Sequence, residues 1–253
     1  IDDHSRLVCH LQWYLDETAE TLVHGLSQAL QKRALPRALM TDNGAAMQAD
    51  EFCSGLHTLS ILHETTLPYS PYQNAKQETF WATLEGRLMA MLEGVADLTL
   101  DQLNEITQVW VEQEYHQNRH AEIGKSPLRR YLDATGVGRD CPNSATLQQA
   151  FRCTVTRRQR RSDGTISLAG RRWEIPNRYR HLEQLTVRYA RWDLSAVEVV
   201  DPHTGTPLCP LYPVDKAANA SGERRRLAQG SAPDPMPLTG TALPPLLRKL
   251  LAE

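Results

Sequence analysis

An alternating α/β domain followed by a small all-β domain is the fold class that this sequence predicts. Apolar runs of strand length alternate with helical periodicities up to about residue 135. Beyond about residue 155 the pattern changes to short alternating runs separated by turns. The charge changes sign with it: residues 1–151 carry 11 Lys and Arg against 20 Asp and Glu, residues 152–191 carry 11 against 3, and the remainder 6 against 7. An acidic region suits a metal-dependent centre and a short basic segment suits a polyanion such as nucleic acid, a solvated basic face being the plainer alternative.

The 253 residues are 41% apolar and 23% charged, enough to bury a core. No apolar run reaches the roughly 18 residues of a membrane span and no signal peptide is recognisable, so a cytoplasmic protein without a membrane partner is expected. Cys9, Cys53, Cys141, Cys153 and Cys209 are scattered and without a CxxC pair, which predicts free thiols. The chain opens on Ile1, and a piece of a longer protein is expected.

Residues 7–15 read as a strand, and Asp16 precedes a helix with Leu22, Val23, Leu26 and Leu30 on one face, ended by Pro36. Residues 38–41 form a short strand that Asp42-Asn43-Gly44 stops abruptly, since Asn and Gly supply turn chemistry. Asp50 is placed to cap a helix carrying Phe52, Leu56 and Leu59, followed by a strand over residues 61–65. After a loop with two prolines, residues 76–91 read as a helix burying Phe80, Leu84, Leu88 and Met91. Thr99 and Gln102 make a capping box for a helix running towards Tyr115, and Ser126-Pro127 opens another. Five strands follow, over residues 165–168, 172–175, 185–189, 196–200 and 208–211, a spacing that suggests a small β-barrel. Residues 216–253 read as a Pro-, Gly- and Ser-rich linker ending in a short amphipathic helix.

Asp42 at a strand end and Glu78 near a helix start are carboxylates of the kind that hold Mg²⁺ or Mn²⁺, hard ions that also bind phosphate oxygens. Taken singly, Asp in such a turn is usually an Asx-turn residue and Glu in such a helix usually a solvated one, so spacing alone favours those plainer roles for Asp42 and Glu78. His116 and His120 stand four apart, yet without a third ligand they read as a polar helix end rather than a metal pair. Trp81 and Trp110 read as core aromatics.

Four motifs occur in order: Ile1-Asp2-Asp3-His4-Ser5-Arg6, Thr41-Asp42-Asn43-Gly44, the run Tyr69-Ser70-Pro71-Tyr72-Gln73-Asn74-Ala75-Lys76-Gln77-Glu78, and Tyr115, Asn118 and His120 with Gly124-Lys125-Ser126-Pro127. Over residues 1–135 the chain thereby resembles the catalytic core of DDE-type transposases and retroviral integrases. The resemblance implies an RNase H-like fold, lacking its N-terminal strands, with Asp42 as second and Glu78 as third catalytic metal ligand. It implies DNA contacts by Tyr69, Tyr72, Gln73, Asn74 and Lys76. The family's first catalytic Asp lies upstream of the segment matching Asp2 to Arg6; Asp2 and Asp3 are expected to build a turn around Ser5 and Arg6 instead. The chain by itself is expected to be inactive.

Residues 136–163 read as a basic connector, and residues 164–215 resemble the carboxyl-terminal β-domain of phage Mu-type transposases, through Gly170-Arg171-Arg172 and the Val187-Arg188-Tyr189 and Val197-Glu198-Val199 strands. That likeness implies DNA held through backbone phosphates by Arg157, Arg158, Arg160, Arg161, Arg171, Arg172, Arg178 and Arg180. The partners implied are DNA (element ends and target), further copies of the chain on that DNA, and an accessory ATPase at the terminal stub. A non-catalytic DNA-binding remnant of a mobile element is the alternative function. A nuclease of RNA or branched DNA fits the basic domain less well.

Overall fold

The computed structural model describes residues 1–67 and 74–215. Tyr69, Tyr72 and Gln73, and the linker and stub of residues 216–253, lie outside the described residues. The chain divides into two compact units, Ile1–Thr156 with Thr186–Cys209, and Arg157–Leu185 with Pro210–Glu253.

In the first unit, α1 (Ala19–Arg33) begins at Thr18, whose hydroxyl accepts the Thr21 amide at 3.2 Å while the Thr21 hydroxyl accepts the Thr18 amide at 3.1 Å. Two otherwise orphaned amides are satisfied by this exchange. Next come β1 (Ala38–Thr41), α2 (Asp50–Thr58) and β2 (Leu62–Thr65). The two strands pair in parallel, Ala38 opposite Leu62 and Thr41 opposite Thr65, as a crossover helix requires. Asp50 is the first residue of α2 and not its cap; the capping position is Ala49, and the Asp50 carboxylate instead reaches Arg191 at 3.1 Å.

The helix expected over residues 76–91 is α3 (Ala75–Leu84), a π turn (Glu85–Met89) and α4 (Ala90–Leu92). The wider turn rotates everything after it, so Phe80, Leu84 and Leu88 are buried as expected while Met91 is 63% exposed and Leu92 takes the place against the core. Then α5 (Leu100–Trp110) starts on the capping box of Thr99 and Gln102 and runs into a second π turn, Val111–Tyr115. Ser126 caps α6 (Pro127–Asp133), and α7 (Ser144–Ala150), which the sequence reading missed, fills part of the stretch expected to be a connector.

No strand forms over residues 7–15. The segment is extended, but side chains of α5 and His116, just after the π turn, satisfy its backbone in place of a neighbouring strand. Val8 N–H donates to His116 Nε2 at 3.0 Å, Trp13 N–H donates to Asn104 Oδ1 at 2.7 Å, and Asn104 Nδ2 donates back to Trp13 O at 3.1 Å. Gln108 Nε2 donates to Leu11 O. Apolar spacing alone cannot separate such a segment from a strand, because both present alternate residues to a core.

Among the described residues, two apolar clusters lie in this unit. One joins α1, α2 and α7 through Val23, Leu30, Phe52, Leu56, Leu147 and Phe151; the other joins the N-terminal segment, α3 and α5 through Val8, Leu11, Phe80, Leu84, Leu88 and Trp110. In the first, Gly55 touches the Phe151 ring so closely that a Cβ would lie 2.0 Å from Cδ1.

The C-terminal strands are β3 (Cys153–Arg158), β4 (Thr165–Leu168), β5 (Arg171–Glu174), β6 (Gln184–Tyr189), β7 (Val197–Val200) and β8 (Pro207–Pro213). Five were expected; β3 was not. Their order is β3-β6-β7-β8-β5-β4, and the registered pairs β4 with β5, β5 with β8 and β6 with β7 are antiparallel. Burial alternates along β6, with Leu185, Val187 and Tyr189 inward. Glu51 of α2, 1% exposed, is met within the first unit by Arg191 Nε at 3.2 Å and by the Cys153 thiol at 3.7 Å.

Gly55→Ala gains about 1 kcal/mol of helix propensity but overpacks a ring with no room to move. A net loss of at least about 1 kcal/mol is expected from urea unfolding. His116→Ala leaves the buried Val8 amide unpaired, and a loss of about 2 to 3 kcal/mol is expected in the same measurement.

His10 supplies a pH dependence. Its Nδ1 accepts Lys32 Nζ at 3.1 Å and its Nε2 meets Gln12 Oε1 at 3.0 Å, so burial and then the Lys32 charge lower the ring from 6.5 to about 4. The unfolded chain therefore takes up this proton first as pH falls. The contribution is intact above 6.5, is lost between 6.5 and about 4, and levels off below. His10→Gln should flatten that part of the stability profile; an unchanged slope contradicts the assignment.

Candidate active site and nucleic-acid contacts

Asp42 is exposed and directly follows β1. Its Oδ1 accepts the Gly44 amide at 2.8 Å, an Asx turn that stops the strand. Asn43 Nδ2 donates to Thr66 O at 2.9 Å, joining the turn to the residue after β2, and Thr41 Oγ1 lies 2.8 Å from His63 Nε2 on the neighbouring strand. The carboxylate is thus held on backbone whose strand partner and turn are both fixed, while its second oxygen takes no hydrogen bond among the described residues.

Glu78 is exposed in the first turn of α3. Two residues later Phe80 is buried and packs its ring on Tyr115 at 5.1 Å between centroids, which fixes the rotation of the helix. Asn74 occupies the capping position without a side-chain cap bond. Lys76, expected to meet DNA, lies 2.5 Å from Asp3 Oδ1, and the hydrogen bond from its ammonium is the main cause that holds the Asp3 carboxyl below its usual range.

That ion pair ties α3 to the turn at residues 2–6. Asp2 Oδ2 accepts the Ser5 amide at 2.8 Å and the Ser5 hydroxyl at 2.5 Å, the turn-building part expected of it. Arg6 is buried with φ of 63°, donates to Asp3 O, and pairs with Glu122 at 2.8 Å. Tyr115 Oη donates to Arg6 O at 3.1 Å and Arg130 Nε to His4 O at 2.9 Å. The sequence reading missed the pairing of Asp3 with Lys76, for which the only available signal was opposite charge.

His116 is fully buried between Val8 and Glu112, its Nδ1 3.0 Å from Glu112 Oε2. Since Nε2 accepts an amide, the Nδ1 proton faces the carboxylate, and that hydrogen bond is the main cause lowering Glu112. The ring is a structural acceptor. Trp110 is buried and Trp81 packs against the same cluster, so both are core aromatics as expected. Among the described residues no group of three or more His, Cys, Asp and Glu is arranged to hold a metal. Asp42 and Glu78 offer the hard oxygen donors that Mg²⁺ takes, and Mg²⁺ commonly uses only one or two carboxylates with water and phosphate oxygens completing its shell. The donor chemistry fits.

In the second unit, Arg158 pairs with Glu183 at 2.7 Å, Arg172 with Asp163 at 3.3 Å, and Arg178 stacks on Tyr179 at 4.8 Å. Arg157 is half-buried. Arg160, Arg161, Arg171 and Arg180 are exposed. Gly164, with φ of 66°, faces the Arg180 guanidinium so closely that a Cβ would lie 2.5 Å from Nε. Exposed cations of this kind suit backbone phosphates.

Asp42→Asn keeps the oxygen that accepts the Gly44 amide and is expected to leave stability within about 0.5 kcal/mol of the wild type. Asp42→Ala removes that acceptor and is expected to cost about 1 kcal/mol by chemical unfolding.

No family model and no curated protein matches this sequence. Among solved structures, the chain is similar to the HTLV-2 integrase catalytic core domain in complex with magnesium, at 21% identity over 52% of this chain and 80% of that one, with a TM-score of 0.42. It is similar to the catalytic core domain of BIV integrase at 26% identity, over 51% of this chain and 80% of that one, with a TM-score of 0.41. A chain of the simian T-cell lymphotropic virus intasome in complex with PP2A regulatory subunit B56 gamma matches at 18% identity over 79% of this chain and 63% of that one, TM-score 0.43.

Proposed function

We propose that this chain is part of a DDE-type DNA transposase or integrase that cuts and joins DNA with the help of a divalent cation, Mg²⁺ or Mn²⁺. The observation that carries the proposal is where two of the resembling motifs fall: Asp42 on an Asx turn at the end of a parallel strand, and Glu78 in the first turn of a helix. Both carboxylates are exposed on anchored backbone, as ligands that must meet a large substrate need to be.

Asp42, through the oxygen not engaged by Gly44, and Glu78 are the residues that would hold the cation. When bound, it would lower the charge of the phosphodiester and favour attack by a hydroxyl or water. Lys76, Asn74, Tyr69, Tyr72 and Gln73 are proposed to meet the DNA end. Arg160, Arg161, Arg171 and Arg180 are proposed to hold the backbone further along, with Arg157, Arg158, Arg172 and Arg178 beside them. Such contacts position DNA without reading its sequence. Joining two element ends to a target calls for more than one copy of the chain on DNA.

Neither Asp2 nor Asp3 is proposed to take the part of the family's first Asp. Asp2 and Asp3 are committed to a turn and to Lys76, so the chain alone is proposed to be inactive. A second reading, a non-catalytic DNA-binding remnant, needs only the exposed cations Arg160, Arg161, Arg171 and Arg180.

The test is a strand-transfer assay in Mg²⁺ or Mn²⁺ with the complete gene product and its element ends. Asp42→Asn and Glu78→Gln should each remove activity by more than about a hundredfold while leaving salt-sensitive DNA binding. Full activity in either variant overturns the carboxylate assignment. Binding without any strand transfer by the wild type supports the remnant.

A further inference from the structure

We infer that a cleft in the first unit, between the end of the π turn after α5 and helix α6, binds a backbone phosphate of DNA. The inference rests on the DNA-processing reading above and names a contact outside its carboxylates. The cleft is a shallow, open depression of about 560 Å³, and its lining includes Gln117, Arg119, Lys125, Ser126, Arg129 and Asp133.

Three of these side chains are cations and one is an anion. Asp133 lies 3.1 Å from Lys125 through Oδ2 and 3.1 Å from Arg129 through Oδ1, so one carboxylate draws two cations together without cancelling both. The hydrogen bond from Lys125, first among several causes, keeps the Asp133 carboxyl below its ordinary range and therefore ionised. Arg119 Nε donates to Gly124 O at 3.1 Å. That single bond orients the guanidinium plane and leaves its terminal nitrogens without a hydrogen-bond partner among the described residues. Arg119 makes no ion pair there, and it is exposed.

A net positive cleft stands out in a region where residues 1–151 carry 20 acidic against 11 basic side chains. It concentrates an anion locally where the surrounding charge repels one. Planar Arg forks match pairs of phosphate oxygens, and the exposed Lys125 adds a mobile point charge. The lining contains no aromatic side chain, so a base has nothing to stack on. The ligand that suits these groups is the sugar-phosphate backbone.

The test is the salt dependence of binding between this 253-residue chain and a labelled DNA duplex of mixed sequence. Arg119→Ala should lower the slope of log K against log salt by about one, as loss of one phosphate contact does. Arg119→Lys, which keeps the charge, should retain the slope, and thermal melts should match because Arg119 makes one backbone bond only. Arg160→Ala with Arg161→Ala should lower the slope independently of the cleft. An unchanged slope in Arg119→Ala overturns the cleft site. If the carboxylate variants have still lost strand transfer, the proposed function survives that failure. A chain with no salt-sensitive DNA binding overturns the cleft site as well. Titration with inorganic phosphate separates the sources: tight phosphate binding lost in Arg119→Ala, beside an unchanged duplex slope, would assign the cleft to a free anion and overturn the DNA contact.

Discussion

Buried backbone amides and carbonyls need partners, and over residues 8–13 those partners are the side chains of a helix. Asn104 exchanges two bonds with Trp13, Gln108 takes Leu11, and His116 takes Val8, with Thr107 receiving the Trp13 indole N–H at 2.8 Å. An unpaired buried amide costs about 1 to 3 kcal/mol, so these polar side chains of α5, with His116 just after the π turn, decide where the N-terminal segment lies. The candidate site depends on it. The segment sets the turn of Asp2, Ser5 and Arg6, Asp3 of that turn holds Lys76, and Lys76 belongs to the first turn of α3, where Glu78 sits. Tyr115 closes the same circuit by bonding Arg6 O and meeting the Phe80 ring edge to face.

Much of the fold could be read from the sequence because its signals were local. The strand at residues 38–41, the Asp-Asn-Gly stop, the Thr99 capping box and the Ser126-Pro127 helix start each rest on neighbours a few residues apart, and each is present. The failures were non-local. Residues 7–15 have a strand's pattern but no strand beside them, and that depends on side chains about a hundred positions away. A π turn adds a residue without a sequence mark, which moved Met91 out of the core and Leu92 towards it. Strand β3 was hidden by its charges, since Arg157 and Arg158 break the apolar alternation.

The local geometry of the candidate site was legible in part for the same reason. Asp42 and its turn are a local motif, whereas the anchoring of Glu78 through Asp3, Arg6 and Glu122 joins residues from three separate stretches. The charge segregation seen in the sequence persists in the structure, but not uniformly. Arg191 reaches back to Asp50 and Glu51 within the first unit, so some of the basic segment's charge is spent on holding that unit together. Arg188 pairs with Glu198 across β6 and β7. Arg160, Arg161, Arg171 and Arg180 are exposed without an ion pair among the described residues, whereas Arg158 and Arg172 are exposed but paired, and counting charges along the sequence could not have separated the two groups.

Catalysis turns on whether Asp42 and Glu78 serve one cation. Replacing Mg²⁺ with Fe²⁺ and adding ascorbate and peroxide generates hydroxyl radicals at a bound ion, which cut the nearest backbone. Cuts confined to the Asp42–Gly44 turn and the start of α3, both lost in Asp42→Asn, are the expected pattern. Cuts at only one of the two places, or cuts that survive Asp42→Asn, would contradict a shared site.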